Sequence, residues 1–366
     1  MRILPNPRIF FLVVVLFVPA LVMAQAPKFD LVKVSKDVYA CIRNEPPGLT
    51  VNANVVFIIN DNDVVVVDTT VTPGTAKETI AALRKLTSKP VKYIINTHWH
   101  DDHIMGNAAY RDAFPGVEFI GHVSLRTYLP GTGLTNRKQA MSDHGYPVFI
   151  MALKTRLQKG ESVFGGPMND EERTTYASDI AIGERYMAEN PSVEIVLPTT
   201  TVEDHLTLRR GSRVIEIRYL GRGHTSGDIV VQLPREGIVI AGDLVVWPVP
   251  YIGNPQSHPG DWSGTLEKLL ALKPKLIIPG HGPVLHDETY VRLMVRLLAS
   301  IDEQVQASVK RGESVEQTHK SVQLDDFQKQ FAGDSRMRKL IFGNYVAGAG
   351  VDAAISDAKT NSPRIQ

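Results

Sequence analysis

Four potential metal ligands, His98, His100, Asp102 and His103, stand within the six-residue run His98-Trp99-His100-Asp101-Asp102-His103. The run follows the short apolar stretch Val91–Ile95, which reads as a strand. This juxtaposition constrains the fold most, because open α/β sheets place their ligands at strand ends. In an extended or turn backbone, side chains two apart point to the same side. His98 and His100 can therefore converge on one cation. Asp102 and His103 lie where the chain turns into a helix, and can reach a second.

Three more sites repeat the pattern. The segment Gly221-Arg222-Gly223-His224-Thr225-Ser226-Gly227-Asp228 sets His224 in a glycine-flanked loop after a strand. Ala241-Gly242-Asp243 ends the apolar strand 238–240, and Pro279-Gly280-His281-Gly282 follows the strand 276–278. The glycines permit positive φ and leave room beside the ligand. Alone, His224 or His281 would read as structural; the shared strand-end context makes each a candidate ligand.

The elements between these sites alternate. Strands are expected at 37–42, 54–59 and 63–68, with Val64–Val67 apolar enough for burial on both faces. A helix follows at 76–86 with Thr75 as N-cap, then a helix at 103–114 and a strand at 117–120. Residues 130–190 read as a helical insertion. It holds a helix at 147–158 ended by Gly160 and one opened by Asn169-x-x-Glu172 that runs to 189. Strands return at 193–197, 205–208, 213–220, 228–233 and 237–241, and the segment 247–260 is a Pro/Gly-rich loop. Helices at 266–272 and 288–308 complete the pattern, with Val291, Met294, Val295 and Leu298 as core positions. Two strand-rich halves, each ending in helices, suggest two facing lobes of one α/β domain.

The ordered set His-x-His-x-Asp-His, Gly-His-Thr-x-Gly, Gly-Asp and Gly-His-Gly resembles the signature of the metallo-β-lactamase superfamily, over roughly residues 50–285. The resemblance implies an αββα sandwich of two mixed sheets flanked by helices, here with the helical insertion. It implies His98, His100 and His224 at one metal, Asp102, His103 and His281 at the other, and Asp243 bridging. It also matches Asp68 to an Asp behind the ligands, although Asp68 reads equally well as a strand-end cap. Five imidazoles and two carboxylates suit two Zn²⁺ per chain, with Fe or Mn also compatible. Two such ions about 3.5–4 Å apart can hold a bridging hydroxide that attacks a carbonyl. Asp102 would orient that nucleophile and shuttle a proton.

The implied substrate is a small molecule: a β-lactam, lactone, ester or thioester. Asp243 stands where one large group of β-lactamases carries a Cys ligand, and this is more similar to the lactonase and thioesterase members. The alternatives are a mononuclear iron redox enzyme similar to the persulfide dioxygenases, or a metal-binding protein without turnover. His122, His144, His205, His258, His286 and His319 lack the loop context and read as surface or packing residues, with His258 placed to rim the pocket. Trp247 and Tyr251 either stack on substrate or pack. The insertion, with Tyr146, Phe149 and Met151, forms either a lid or outer packing.

The chain has 366 residues, a formal net charge of +1 and a single cysteine, Cys41. So balanced a charge gives no electrostatic footprint for nucleic acid, and one thiol forms no intrachain disulfide. Arg2, Arg8, the apolar run 9–18, Pro19 and Val22-Met23-Ala24 read as a secretory signal spanning residues 1–24 and cleaved after Ala24. An uncleaved N-terminal anchor is the alternative. The mature protein is then expected to be periplasmic or secreted, without stable membrane association. The hydrolase domain is expected at 25–310, followed by a helical extension at 311–366; oligomeric state is left open.

Overall fold

The computed structural model describes residues 29–253 and 257–361. The expected signal, 1–24, lies outside these residues. Among the described residues, no helix is long and apolar enough to cross a membrane.

Among the described residues, twelve strands form two mixed sheets. The first runs in chain order: β1 (Phe29–Ser35), β2 (Val38–Arg43), β3 (Val55–Ile59), β4 (Val64–Val67), β5 (Val91–Ile95), β6 (Glu118–His122) and β7 (Thr200–Val202). It is antiparallel up to β4 and parallel from β4 to β7. The second is ordered β12-β11-β10-β9-β8, with β8 (His205–Arg210), β9 (Arg213–Tyr219), β10 (Ile229–Leu233), β11 (Ile238–Val246) and β12 (Leu276–His281). Only β11 and β12 pair in parallel there.

Alternation explains why these strands are apolar on both faces. Val65 and Val67 join Val56, Ile58, Ile217, Val231 and Ile240 between the sheets. Val64 and Val66 face outward onto Ile80 and Leu83 of the helix Pro73–Leu86. All four valines of β4 are buried, and each such side chain contributes about 1.5–3 kcal/mol. The outer face of the second sheet packs on the helices Pro259–Ala271 and Thr289–Lys310. The result is the expected αββα sandwich. Val291, Met294 and Leu298 sit in its core, as their spacing implied. Leu324, Phe331, Phe342 and Ile355 join the same cluster, so the C-terminal helices share the core of the second half.

Several local expectations change. The N-cap of the helix at Pro73 is Thr72; Thr75 is its reciprocal partner three residues on. The helix expected at 103–114 is two, Asp101–Ile104 and Asn107–Ala113, parted at Gly106, where a Cβ would strike the Thr69 carbonyl. Residues 193–197 form no strand. Pro191 and Pro198 bracket them, and the short edge strand β7 follows instead. β1 went unread in the sequence, and β11 and β12 run on into their ligand residues. In the insertion, the reciprocal cap Asn169/Glu172 opens Asp170–Glu189, and Gly160 ends Tyr146–Lys159 in the left-handed conformation.

Candidate metal centre

The loops at the ends of β4, β5, β11 and β12, together with the loop before β10, meet at one edge of the sandwich. His98, His100, His224 and Asp243 form one group; Asp102, His103, His281 and Asp243 form the other. Within each group the potential ligand atoms all lie within 4.8 Å of one another. Asp243 belongs to both. One oxygen, Oδ1, is 3.2 Å from His103 Nε2 and 3.4 Å from His281 Nε2. The other, Oδ2, is 3.4 Å from His224 Nε2 and 3.9 Å from His98 Nε2. All seven residues expected from the sequence are thus brought together.

Their orientation is fixed from behind. The backbone turns sharply after β4, with Asp68 at φ 60° and Thr70 at φ 74°. Positive φ is costly for a β-branched residue. Here the turn is held by Thr69 N–H donating to the His103 carbonyl at 2.9 Å and Gly106 N–H to that of Thr70. It places Asp68 so that one oxygen accepts from Thr97 N–H at 2.9 Å. The other accepts from Thr97 Oγ1 and lies 2.7 Å from His103 Nδ1. Asp68 therefore caps the strand end and also orients a candidate ligand. His224 is held in the same manner, its Nδ1 donating to the Tyr251 carbonyl at 2.8 Å. That leaves Nε2 facing His100 Nδ1 at 2.9 Å. Gly280 is required beside Asp243, whose carboxylate a Cβ would strike.

The cluster has the signature of a cation site. His98 Nε2, His103 Nε2, His281 Nε2, Asp102 Oδ2 and Asp243 Oδ1 are buried atoms that face one another, yet none makes a well-directed hydrogen bond among the described residues. Buried polar atoms are nearly always satisfied. Five converging orphans, all of metal-ligating type, fit cations held between them. The electrostatics agree. Burial and then the neighbouring His224 push His100 down to about 3, leaving a neutral imidazole with a lone pair to give. His281 moves the other way, to about 9, because the Asp243 and Asp102 carboxylates outweigh its burial. The carboxylate side of the cluster favours positive charge.

Two cavities open on the centre. One, about 320 Å³, is bordered by Trp247, Tyr251, Asn52 and His281. The other, about 350 Å³, is bordered by His100, Asp101, Asp102 and Tyr186. Trp247 and Tyr251 thus line the cleft, whereas His258 lines neither cavity. Its backbone N–H donates to the Gly223 carbonyl at 2.8 Å, and its ring joins Ser226 Oγ at 2.7 Å to Asp357 Oδ1 at 3.1 Å. It clamps the loop carrying His224. His122 bonds Ser124 and stacks on Tyr219, while His205 and His319 pair with Glu216 and Asp352. His286 is exposed.

Sequence reasoning missed three supporting residues. Asp101 accepts from Arg137 at 3.1 Å and from the Tyr186 hydroxyl, tying the insertion to the histidine motif. Asp179, also in the insertion, accepts from Leu49 and Thr50 N–H at 3.1 and 3.0 Å and holds the loop that walls both cavities. Tyr345 enters from the C-terminal helices. Only Asp101, inside the motif, carried a local signal.

A model of the metallo-beta-lactamase superfamily matches residues 48–281, which include every candidate ligand. The chain belongs to this superfamily. Within it, the chain is 25% identical to a linear primary-alkylsulfatase from Pseudomonas sp. over 269 residues, covering 71% of this chain and 48% of that protein. It is 31% identical to a type 2 metallo-beta-lactamase from Bacillus cereus over 124 residues, covering 33% of this chain and 47% of that one. The chain thus spans about half the length of these curated relatives. Among solved structures, a sec-alkylsulfatase from Pseudomonas sp. superposes with TM-score 0.64 at 16% identity, covering 90% of this chain and 50% of its own. A metallo-beta-lactamase from Pontibacter korlensis gives 0.51 at 19% identity, covering 74% and 98%. The superfamily fold is shared throughout.

Proposed function

We propose that the protein is an exported metal-dependent hydrolase that holds two ions, Zn²⁺ first and Fe or Mn as substitutes, with His98, His100, Asp102, His103, His224, Asp243 and His281. The observation that carries this reading is the pair of four-residue clusters sharing one buried carboxylate, Asp243. The bound ions would make water nucleophilic at neutral pH and polarise the group under attack. Asp102 borders the cavity, with its Oδ2 3.1 Å from His281 Nε2. From there it orients the attacking water and carries a proton to the leaving group. Tyr251 and Trp247 border the other cavity, beside His281. A single-iron redox site would leave half of these ligands unused.

The substrate class we favour is a carbonyl compound: an ester, lactone, thioester or β-lactam. A second reading, sulfate-ester hydrolysis, is favoured by the likeness to the alkylsulfatase. The cavities speak for the first. Among the described residues, the one arginine bordering them, Arg43, is already paired with Glu45. It brings no uncompensated charge to an anionic head group. The test is a panel of lactones, thioesters, aryl esters, β-lactams and alkyl sulfates, with metal-loaded and metal-stripped protein. Turnover of a carbonyl substrate that disappears on stripping supports the reading. Turnover confined to sulfate esters would favour the second.

A further inference from the structure

The residues after 310 contribute no candidate ligand, yet they reach the space beside Asp102. Tyr345 lies in the π-helical segment Phe342–Gly348, and its ring packs on Tyr251 with centroids 4.8 Å apart. Leu129–Gly133, in the insertion, is also π-helical. These are the two π-helical segments among the described residues. Gly133 and Tyr345 border the same cavity as Asp102. Such turns shift side chains out of the regular helical register and concentrate at functional sites.

Beyond this cavity lies an outer chamber of about 470 Å³. Leu49, Ala140, Tyr146 and Tyr345 border both spaces, so the two meet across a shared neck. Phe149, one turn along the helix from Tyr146, adds a further aromatic wall. Among the described residues no Asp, Glu, Lys or Arg lines the outer chamber, where His144 and Asn344 are the polar members of a mostly apolar wall, whereas Asp101 and Asp102 line the inner one. Both volumes fall in the usual range for small-molecule sites. The polar, ligand-bearing end and the apolar end are thus arranged in line.

We propose that the substrate is an amphiphile whose hydrolysable group lies beside Asp102 and whose apolar arm passes Tyr345 and Tyr146 into the chamber walled by Leu49 and Phe149. This rests on the hydrolase reading for the polar end only. The insertion and the C-terminal helices then have one joint purpose, since each supplies one side of the neck. Tyr345 and Phe149 are specificity-determining residues from elements that lack every family motif.

The test uses the metal-loaded full chain and two readouts. Calorimetric titration with neutral alcohols from 1-butanol to 1-octanol measures the chamber without any chemistry. Affinity should rise about threefold per methylene, close to the full value for burying a CH₂. Tyr345→Ala and Phe149→Ala, in different elements, should each flatten that rise. Tyr345→Phe should keep it, and so should Met151→Gln, which is exposed on the same helix and outside the lining. In parallel, KM for p-nitrophenyl esters from acetate to octanoate should fall with chain length, and Phe149→Ala should abolish the fall, while Met151→Gln leaves both the fall and kcat unchanged. A rise with chain length that the two alanine variants flatten supports the inference even if no ester is hydrolysed, in which case the hydrolase reading fails alone. Affinity independent of chain length, or a slope untouched by both alanine variants, overturns the inference whatever the ester activity.

Discussion

Asp243 is a buried carboxylate and Asp102 a partly buried one; both lie within reach of His103 and His281, but their surroundings differ. Asp243 is enclosed by imidazoles on both sides, while Asp102 borders open space. Removing the proton-carrying ability of Asp102 should therefore cost rate more than metal. Asp102→Asn keeps the shape and one ligating oxygen, and should lose at least about a hundredfold in kcat with both ions retained at saturating metal. Turnover measured beside metal content checks this; near-wild-type kcat would leave Asp102 a ligand only. Asp68 belongs to neither candidate ligand group and holds His103 from behind. Asp68→Asn should weaken metal binding about 10–100-fold, the usual effect of losing a partner behind a ligand. Chelator competition reads it, and unchanged affinity would reduce Asp68 to a strand cap.

At the scale of elements, the strand ends were legible and the supports behind them were not. His98 to His103, His224, Asp243 and His281 announce themselves because ligand chemistry needs particular residue types at particular spacings. The Thr72/Thr75 cap was misassigned by three residues, since both threonines can serve and only the reciprocal bonds distinguish them. The strand expected at 193–197 does not form: between Pro191 and Pro198 the segment instead packs Val193 and Ile195 on the Trp99 cluster and Val196 on the outer face of the first sheet. The position of His258 after Asp243 suggests a rim role, but its ring contacts Ser226 and Asp357, 32 and 99 residues away. No local pattern reveals such partners. His258 and Ser257, whose hydroxyl donates to the His224 carbonyl at 3.0 Å, together hold the His224 loop. His258→Ala should thus lower affinity about tenfold for the ion at His98, His100 and His224 while sparing the other. Stepwise metal removal should then show one early phase; equal weakening of both ions would contradict a local clamp.

Across the whole molecule, the centre joins the two halves of the sandwich. His98 to His103 follow β5 of the first sheet, while His224, Asp243 and His281 belong to the second sheet and its loops. Ions held between them would bind the folded chain and not the unfolded one, adding about 4 kcal/mol at a thousandfold excess over Kd. Stripping the metal should lower Tm, and restoring it should raise Tm again. The proposed export has its own test: N-terminal sequencing of envelope protein should begin at Gln25, and a chain still starting at Met1 would mean an anchor. The two-ion centre itself is tested most directly by metal content per chain in wild type and ligand variants. Wild type should hold two ions. His103→Ala or His281→Ala should lose about one, His98→Ala, His100→Ala or His224→Ala should lose the other, and Asp243→Ala should weaken both. A fully loaded wild-type protein with one ion per chain would contradict the shared centre.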